Sequence, residues 1–311
     1  MVGAAFLFLR HLKVRGVRMQ HMKRDSMCLS GWRIAIAIFA LAVADSPAMA
    51  QARATGPHTT VSLLASRDSF AAGDKTLVGL HFQMEKGWHV YWENPGDSGE
   101  PPQIQWHVPA GFSVGAIEWP APKKLVAPSI VDYGYENEVL LFAPLKVPAD
   151  LRNGQTETIA ANVNWLVCRE MCIPGKARVS LTLPVNSAVK GFKGTASSAE
   201  VAELMNARAE VPKPMPRTWK VYVRDEKNDF VLTVETGKQE SAATFFPQVP
   251  EQINNDAKQA ATPFSRGVRL RLQKSDGLLK PIKQLGGVLE LGSGRAYDIS
   301  APIHVATNGT R

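Results

Sequence analysis

Cysteine is what this chain has least of. Three residues in 311, at positions 28, 168 and 172, rule out a disulfide-dense scaffold. The fingerprints G-x-S-x-G, H-E-x-x-H, the P-loop and G-x-G-x-x-G are missing. Their absence removes the usual signatures of serine hydrolases, zinc proteases, NTPases and dinucleotide enzymes. The histidines do not cluster. His81, His89 and His107 each lie in a strand-like run, where a residue on a sheet face is the plainer reading than a catalyst. Two cysteines fall short of a zinc site, and no histidine stands beside them at ligand spacing. The reading therefore includes no metal and no cofactor, with Cu(I) on two soft thiolates kept as a minor alternative.

Surplus charge is scarce as well. Most of the formal net charge of +8 sits at the front. Residues 1–50 hold seven Lys or Arg against Asp25 and Asp45, which leaves a net +3 for residues 51–311. That is an ordinary surface, so no nucleic-acid partner is expected. Long apolar runs are missing too. Ile34–Val43 is ten residues long, well short of the roughly 20 that a membrane-spanning helix needs. With Lys23, Arg24 and Arg33 around its start and Ala48-Met49-Ala50 after it, this run reads as a secretion signal occupying residues 1–50. Met22 fits its start, with residues 1–21 as upstream read-through, and Cys28 precedes the apolar core, where no lipid anchor would place it. The expected product is exported and soluble, with one pair of cysteines in an oxidising compartment.

What is present is mostly strand. From Thr59 short alternating runs are broken by Gly, Pro and Asp, as in VSLLAS, TLVGLHFQM, WHVYW, IQWHV, FSVGAIEW, VLLFAPLKV, ETIAANVNWLV and ARVSLTLPV. Val78, Leu80, Phe82 and Met84 form one core face, with Leu77, Gly79, His81 and Gln83 on the other. Asn94–Pro102 reads as a loop, and its Asp97 and Glu100 as solvated acids. Trp88, Tyr91 and Trp92 read as core. Tyr133 and Tyr135 flank Gly134 and read as exposed enough to cover a site. Residues 51–187 are expected to form one sandwich and residues 217–311 a second, cysteine-free one. Residues 188–216 would join them through a short helix, Ser197–Val211, and a stiff stretch holding Pro212, Pro214 and Pro216. The fold class is therefore all-β.

Asn162–Lys176, NVNWLVCREMCIPGK, organises the first sandwich. In a straight strand four residues span roughly 13 Å, whereas disulfide Cα atoms stand about 4.4–6.8 Å apart. If the two cysteines pair, the chain must fold back between them. A single helical turn would do this, but the alternation of Val163, Trp165 and Val167 and the following Pro174 favour a hairpin with Arg169-Glu170-Met171 at its tip. A disulfide closing so short a loop restrains little chain. A pair that opens and closes is the stronger reading, and a structural staple in a binding module the next. Arg169 and Lys176 would favour a thiolate, and Glu170 opposes them.

The stretch VNWLVCREMCIPGKARVSLTLPV resembles the amino-terminal periplasmic domain of the DsbD family of thiol:disulfide interchange proteins. It is nearest the ScsB-like branch, whose cysteines are likewise separated by three residues. GWHVYWENPGDSGEPP and PSIVDYGYENEVLLFAPLKVP fit the same pattern, as do ATFFPQ and GVLELGSGRAYDISAPI further on. The resemblance implies an immunoglobulin-like fold with Cys168 and Cys172 as a redox pair on a hairpin, Cys172 being the sulfur that forms the mixed disulfide. It also implies that His89 and Tyr91 line the site. Asp132, Tyr133 and Gly134 would form a cap loop over the cysteines, Asp132 falling at or near the place of the cap's characteristic Phe. Electrons would come from a separate membrane-embedded thiol carrier and pass to periplasmic thioredoxin-like proteins.

Overall fold

The computed structural model describes residues 52–128, 130–186, 204 and 206–305. The signal reading of residues 1–50 and residues 197–203 of the expected helix lie outside these. Eleven strands precede the linker: β1 (Arg53–Gly56), β2 (Thr59–Ala65), β3 (Lys75–Met84), β4 (His89–Gly96), β5 (Gln103–His107), β6 (Ser113–Val114), β7 (Lys123–Ala127), β8 (Ile130–Glu136), β9 (Glu138–Lys146), β10 (Thr156–Cys168) and β11 (Cys172–Pro184). Eight follow it: β12 (Lys213–Pro214), β13 (Lys220–Asp225), β14 (Asp229–Glu235), β15 (Ala243–Pro247), β16 (Ala260–Phe264), β17 (Gly267–Gln273), β18 (Gln284–Leu291) and β19 (Ala296–Val305). The all-β expectation holds.

In the first region one sheet runs β1-β2-β3-β9-β6 and the other β11-β10-β4-β8-β7, with β5 also on β10. Alternation drives their packing. Val61, Leu63, Leu80, Phe82 and Leu141 of the first sheet meet Val90, Trp92, Ile159, Val163 and Val179 of the second in one core. Each large apolar side chain fully buried there stabilises the fold by roughly 1.5–3 kcal/mol. The outer face of β3 is covered as well. Leu77, Leu140 and Phe142 pack with Leu204, a helical residue of the linker, so helix and strand bury each other. His81, on that outer face, is buried with its ring against Glu138 at 3.3 Å.

The second region is one hydrogen-bonded sheet, ordered β15-β18-β19-β13-β14-β17-β16, with β12 paired to β19. β19 serves two leaves: its residues opposite Gln284–Glu290 pair antiparallel with β18, while Ile303–Val305 pair parallel with β13. A second core of Phe230, Leu232, Phe245, Leu270, Leu289 and Ile299 fills the space between the leaves. All described residues belong to one compact unit, Ala50–Arg311.

Three local readings need correction. Asn94-Pro95-Gly96 ends β4 and is no loop. Asn94 is buried because its Nδ2 donates to the Pro247 carbonyl of the second region at 2.7 Å, while Phe246 and Val288 enter the first core. Residues 130–136 form a strand, with Tyr133 and Tyr135 buried. Of FSVGAIEW, Ser113–Val114 alone is a strand. The proline stretch is tied down at Lys213–Pro214, which pair with Tyr297 and Asp298.

Candidate functional site

β10 and β11, thirteen residues each, form a hairpin whose register runs from Thr156 opposite Pro184 to Cys168 opposite Cys172. Val163, Trp165 and Val167 point into the core, and with a side-chain period of two this fixes the pairing. β11 is the end strand of its sheet, where Pro174, lacking an N–H, is tolerated. Gly175 leaves room for Trp165: a Cβ there would lie 2.3 Å from the indole. The tip is Arg169-Glu170-Met171, as the spacing suggests, and the Arg169 amide donates to the Met171 carbonyl at 3.2 Å. Cys168 and Cys172 are joined, with S–S 2.06 Å and Cα–Cα 4.1 Å.

The two halves of this disulfide differ in access. Cys168 is 2% exposed, held on its far side by backbone pairing with His89 of β4. Cys172 is exposed at the start of the end strand, next to the exposed Met171. Tyr91, also on β4, reaches across with its hydroxyl 3.4 Å from Cys172 Sγ. Burial raises the Tyr91 pKa above the usual phenol range, with the Ser98 side chain opposing, so the group stays a protonated donor. The His89 ring stands edge-on to Tyr91 at 5.3 Å. Burial lowers its pKa against the pull of Asp132 and Glu136, and its Nε2 is buried without a hydrogen-bond partner. Arg169 lies 5.3 Å over the Trp88 ring and 3.7 Å from Glu170.

The cover over Tyr91 comes from an unexpected element. Gly99, in the left-handed region at φ +75°, lies flat on the phenol ring; a Cβ there would fall 2.1 Å from Cζ. The loop is held from beneath by Asp132. Its carboxylate accepts from the Ser98 amide at 2.9 Å and from the Ser98 hydroxyl at 3.0 and 2.9 Å. Burial raises the Asp132 pKa, and the Ser98 bonds lower it again in part.

Asp132, Tyr133 and Gly134 are thus strand residues of β8, not a free loop over the cysteines. Asp132 holds the cover. Tyr133 turns inward, edge-on to Trp92 and Phe246, and its hydroxyl donates to Asn255 Oδ1 at 2.8 Å. Gly134 permits close strand pairing, since a Cβ would lie 2.3 Å from the Val90 carbonyl oxygen. Asp97 is no solvated acid either: it accepts from the Val131 amide and from Asn255 Nδ2, both at 2.7 Å. Glu100 stays at the rim and, with Pro101, Trp165, Pro174 and Lys176, lines a cleft of about 380 Å³ beside the hairpin. His81 and His107 serve elsewhere, on Glu138 and Asn162. Among the described residues no group of three or more His, Cys, Asp or Glu is placed to hold a metal ion.

Comparison with known proteins gives three findings. Residues 60–184 match the family model described as thiol:disulfide interchange protein DsbD, N-terminal. No curated protein matches the sequence. Among solved structures, the N-terminal periplasmic domain of ScsB from Proteus mirabilis aligns over 81% of this chain and 96% of its own, at 19% identity and a TM-score of 0.60, which shows a shared fold. The CupB2 chaperone of Pseudomonas aeruginosa aligns over 78% of this chain and 100% of its own at 12% identity, but its TM-score of 0.22 carries no weight.

Proposed function

We propose, from the match of residues 60–184 to the DsbD amino-terminal family model, that this protein relays electrons in the periplasm by thiol–disulfide exchange at Cys168 and Cys172. The donor is a separate membrane-embedded thiol carrier, and the acceptors are thioredoxin-like proteins. Residues 51–187 are the redox-active domain, 188–216 the connector and 217–311 a second domain, exported together after loss of residues 1–50. The observation that carries this reading is the unequal exposure of the two sulfurs: Cys172 open, Cys168 buried.

The steps follow from that inequality. A carrier thiolate attacks Cys172 Sγ, the side a visitor can reach. The Cys168–Cys172 bond breaks as the mixed disulfide forms, and Cys168 leaves as a thiolate. The carrier's second thiolate then attacks its own bonded sulfur, freeing Cys172 and leaving the carrier oxidised. With an acceptor the order reverses. Cys172 attacks the acceptor disulfide, Cys168 attacks Cys172 Sγ, and the acceptor departs with two electrons and two protons. Tyr91, held under Gly99, donates to the Cys172 sulfur when it carries charge.

Trapping tests the reading. Cys168→Ser leaves Cys172 unable to resolve a mixed disulfide, so thioredoxin-like proteins and a multi-helix membrane thiol carrier should accumulate on it. Failure to capture either, while an established relay captures its own partners, overturns the proposal. A bond that behaves as a staple, with a potential below about −300 mV, does the same.

A further inference from the structure

We propose that Asn255, in the cysteine-free second region, is a positioning residue for the redox pair: it fixes the Asp97–Gly99 loop that seats Tyr91 on Cys172. The proposal rests on the relay reading of that pair and assigns a task to the second region within it.

The connection can be followed atom by atom. Asn255 is 7% exposed, and its amide is used at both ends. Nδ2 donates to Asp97 Oδ1 at 2.7 Å, and Oδ1 accepts from the Tyr133 hydroxyl at 2.8 Å. Its backbone carbonyl accepts from Lys124 Nζ at 2.8 Å. The residue cannot drift with the loop, because its neighbours are anchored in the second region. Ile253 belongs to the second core and bridges to Lys274, and the Asn254 amide donates to Gln273 at 2.9 Å. The Asn254 side chain also accepts from the amides of Asp256 and Ala257.

On the other side, Asp97 passes the restraint on. Its second oxygen takes the Val131 amide, and the next residue, Ser98, binds Asp132, so the loop is pinned at consecutive positions. Gly99 then lies on the Tyr91 ring, too close for any side chain between them, and the phenol hydroxyl stands 3.4 Å from Cys172 Sγ. A hydrogen bond to sulfur is long and weakly directional, so small movements of the ring should change it. The bond between Asn255 and a carboxylate is charge-assisted, the stronger kind. It spans 158 positions of sequence.

The test uses the full chain in its reduced form, with oxidised glutathione as the probe. The Cys172 thiolate attacks one glutathione sulfur and releases a glutathione thiolate. Cys168 then attacks Cys172 Sγ and releases the second, so the protein is oxidised as glutathione disulfide is reduced to two thiols. Asn255→Asp sets a carboxylate against Asp97. It should slow the first step at neutral pH about fivefold, the size of one lost hydrogen bond, and move its pH profile upward as the Cys172 thiolate loses its donor. The exchanged pair Asp97→Asn with Asn255→Asp restores one donor facing one acceptor and should recover rate and profile together. A residue that only supports the fold would move the unfolding midpoint and leave the profile in place. If Asn255→Asp does not fold, Asn255→Ala, which removes the amide without adding charge, is read the same way. Unchanged reactivity in a folded variant, or no recovery in the exchanged pair, overturns the proposal. An unreactive parent protein would instead sink the relay reading itself.

Discussion

Strands β3, β8 and β9 in the region from residue 52 to 186 are covered on both faces, whereas β17 in the region from 213 to 305 buries alternate residues and shows the rest to solvent. Double burial leaves polar side chains no water to bind, so they must bind one another. Ser66 meets Thr76, Asp132 meets Ser98, and Tyr133 meets Asn255. The ionisations that burial perturbs at His89, Tyr91, Asp132 and Tyr135 fall in this first region. In the second region the ion pairs of Arg271 with Glu226 and Asp229 stay outside, while Glu240 is buried and burial raises the Asp298 pKa. The disulfide sits where the fold has withdrawn polar groups from solvent and made them depend on each other. The second region supplies the segment that carries Asn255.

Three substitutions put this contrast at risk. The largest effect is expected at Phe142, fully buried on the outer face of β3 and β9. Phe142→Ala should lower unfolding free energy in urea by about 3–5 kcal/mol, and a loss under about 1 kcal/mol would mean that the outer layer is not a core. A smaller, pH-dependent effect belongs to His89. Burial holds its pKa below the ordinary 6.5, so the folded chain prefers the neutral ring. Its contribution is present above 6.5 and is lost as pH falls through that value toward the lower folded one. His89→Phe should therefore lose less stability than the parent between about pH 7.5 and about pH 5, measured as urea midpoints. Equal losses would place the acid sensitivity elsewhere. The smallest effect is expected at Arg271, whose ion pairs are open to solvent. Arg271→Ala should leave both the unfolding midpoint and the reaction of Cys172 with oxidised glutathione nearly unchanged. A slowed reaction would show that the second region's outer face also governs the site.

Much of the site was legible where the pattern is local. Two cysteines bracketing three residues, after Val163, Trp165 and Val167, specify a hairpin tip because a one-residue slip would turn those side chains to solvent. Pro-Gly at positions 95 and 96 misled, since it usually marks a loop. Here Gly96, at φ +91°, pairs with Asp132 across a bulge and allows close approach to the Val131 carbonyl. Gly134 misled likewise: it stands between two tyrosines that read as exposed, in an expected cap loop, yet it lets β8 lie tight on β4. For Asn255 there was no local signal, because its partners Asp97 and Tyr133 lie 158 and 122 positions away.

The amino-acid sequence by itself determined an all-β chain and a cysteine pair at a bend, because strand alternation and the reach of a disulfide act over a few residues. Tertiary structure decided which sulfur faces solvent, which residues lie over Tyr91, and that the second region grips that cover. Exposure and long-range hydrogen bonds exist only once distant strands are packed against each other, and no spacing along the chain encodes them.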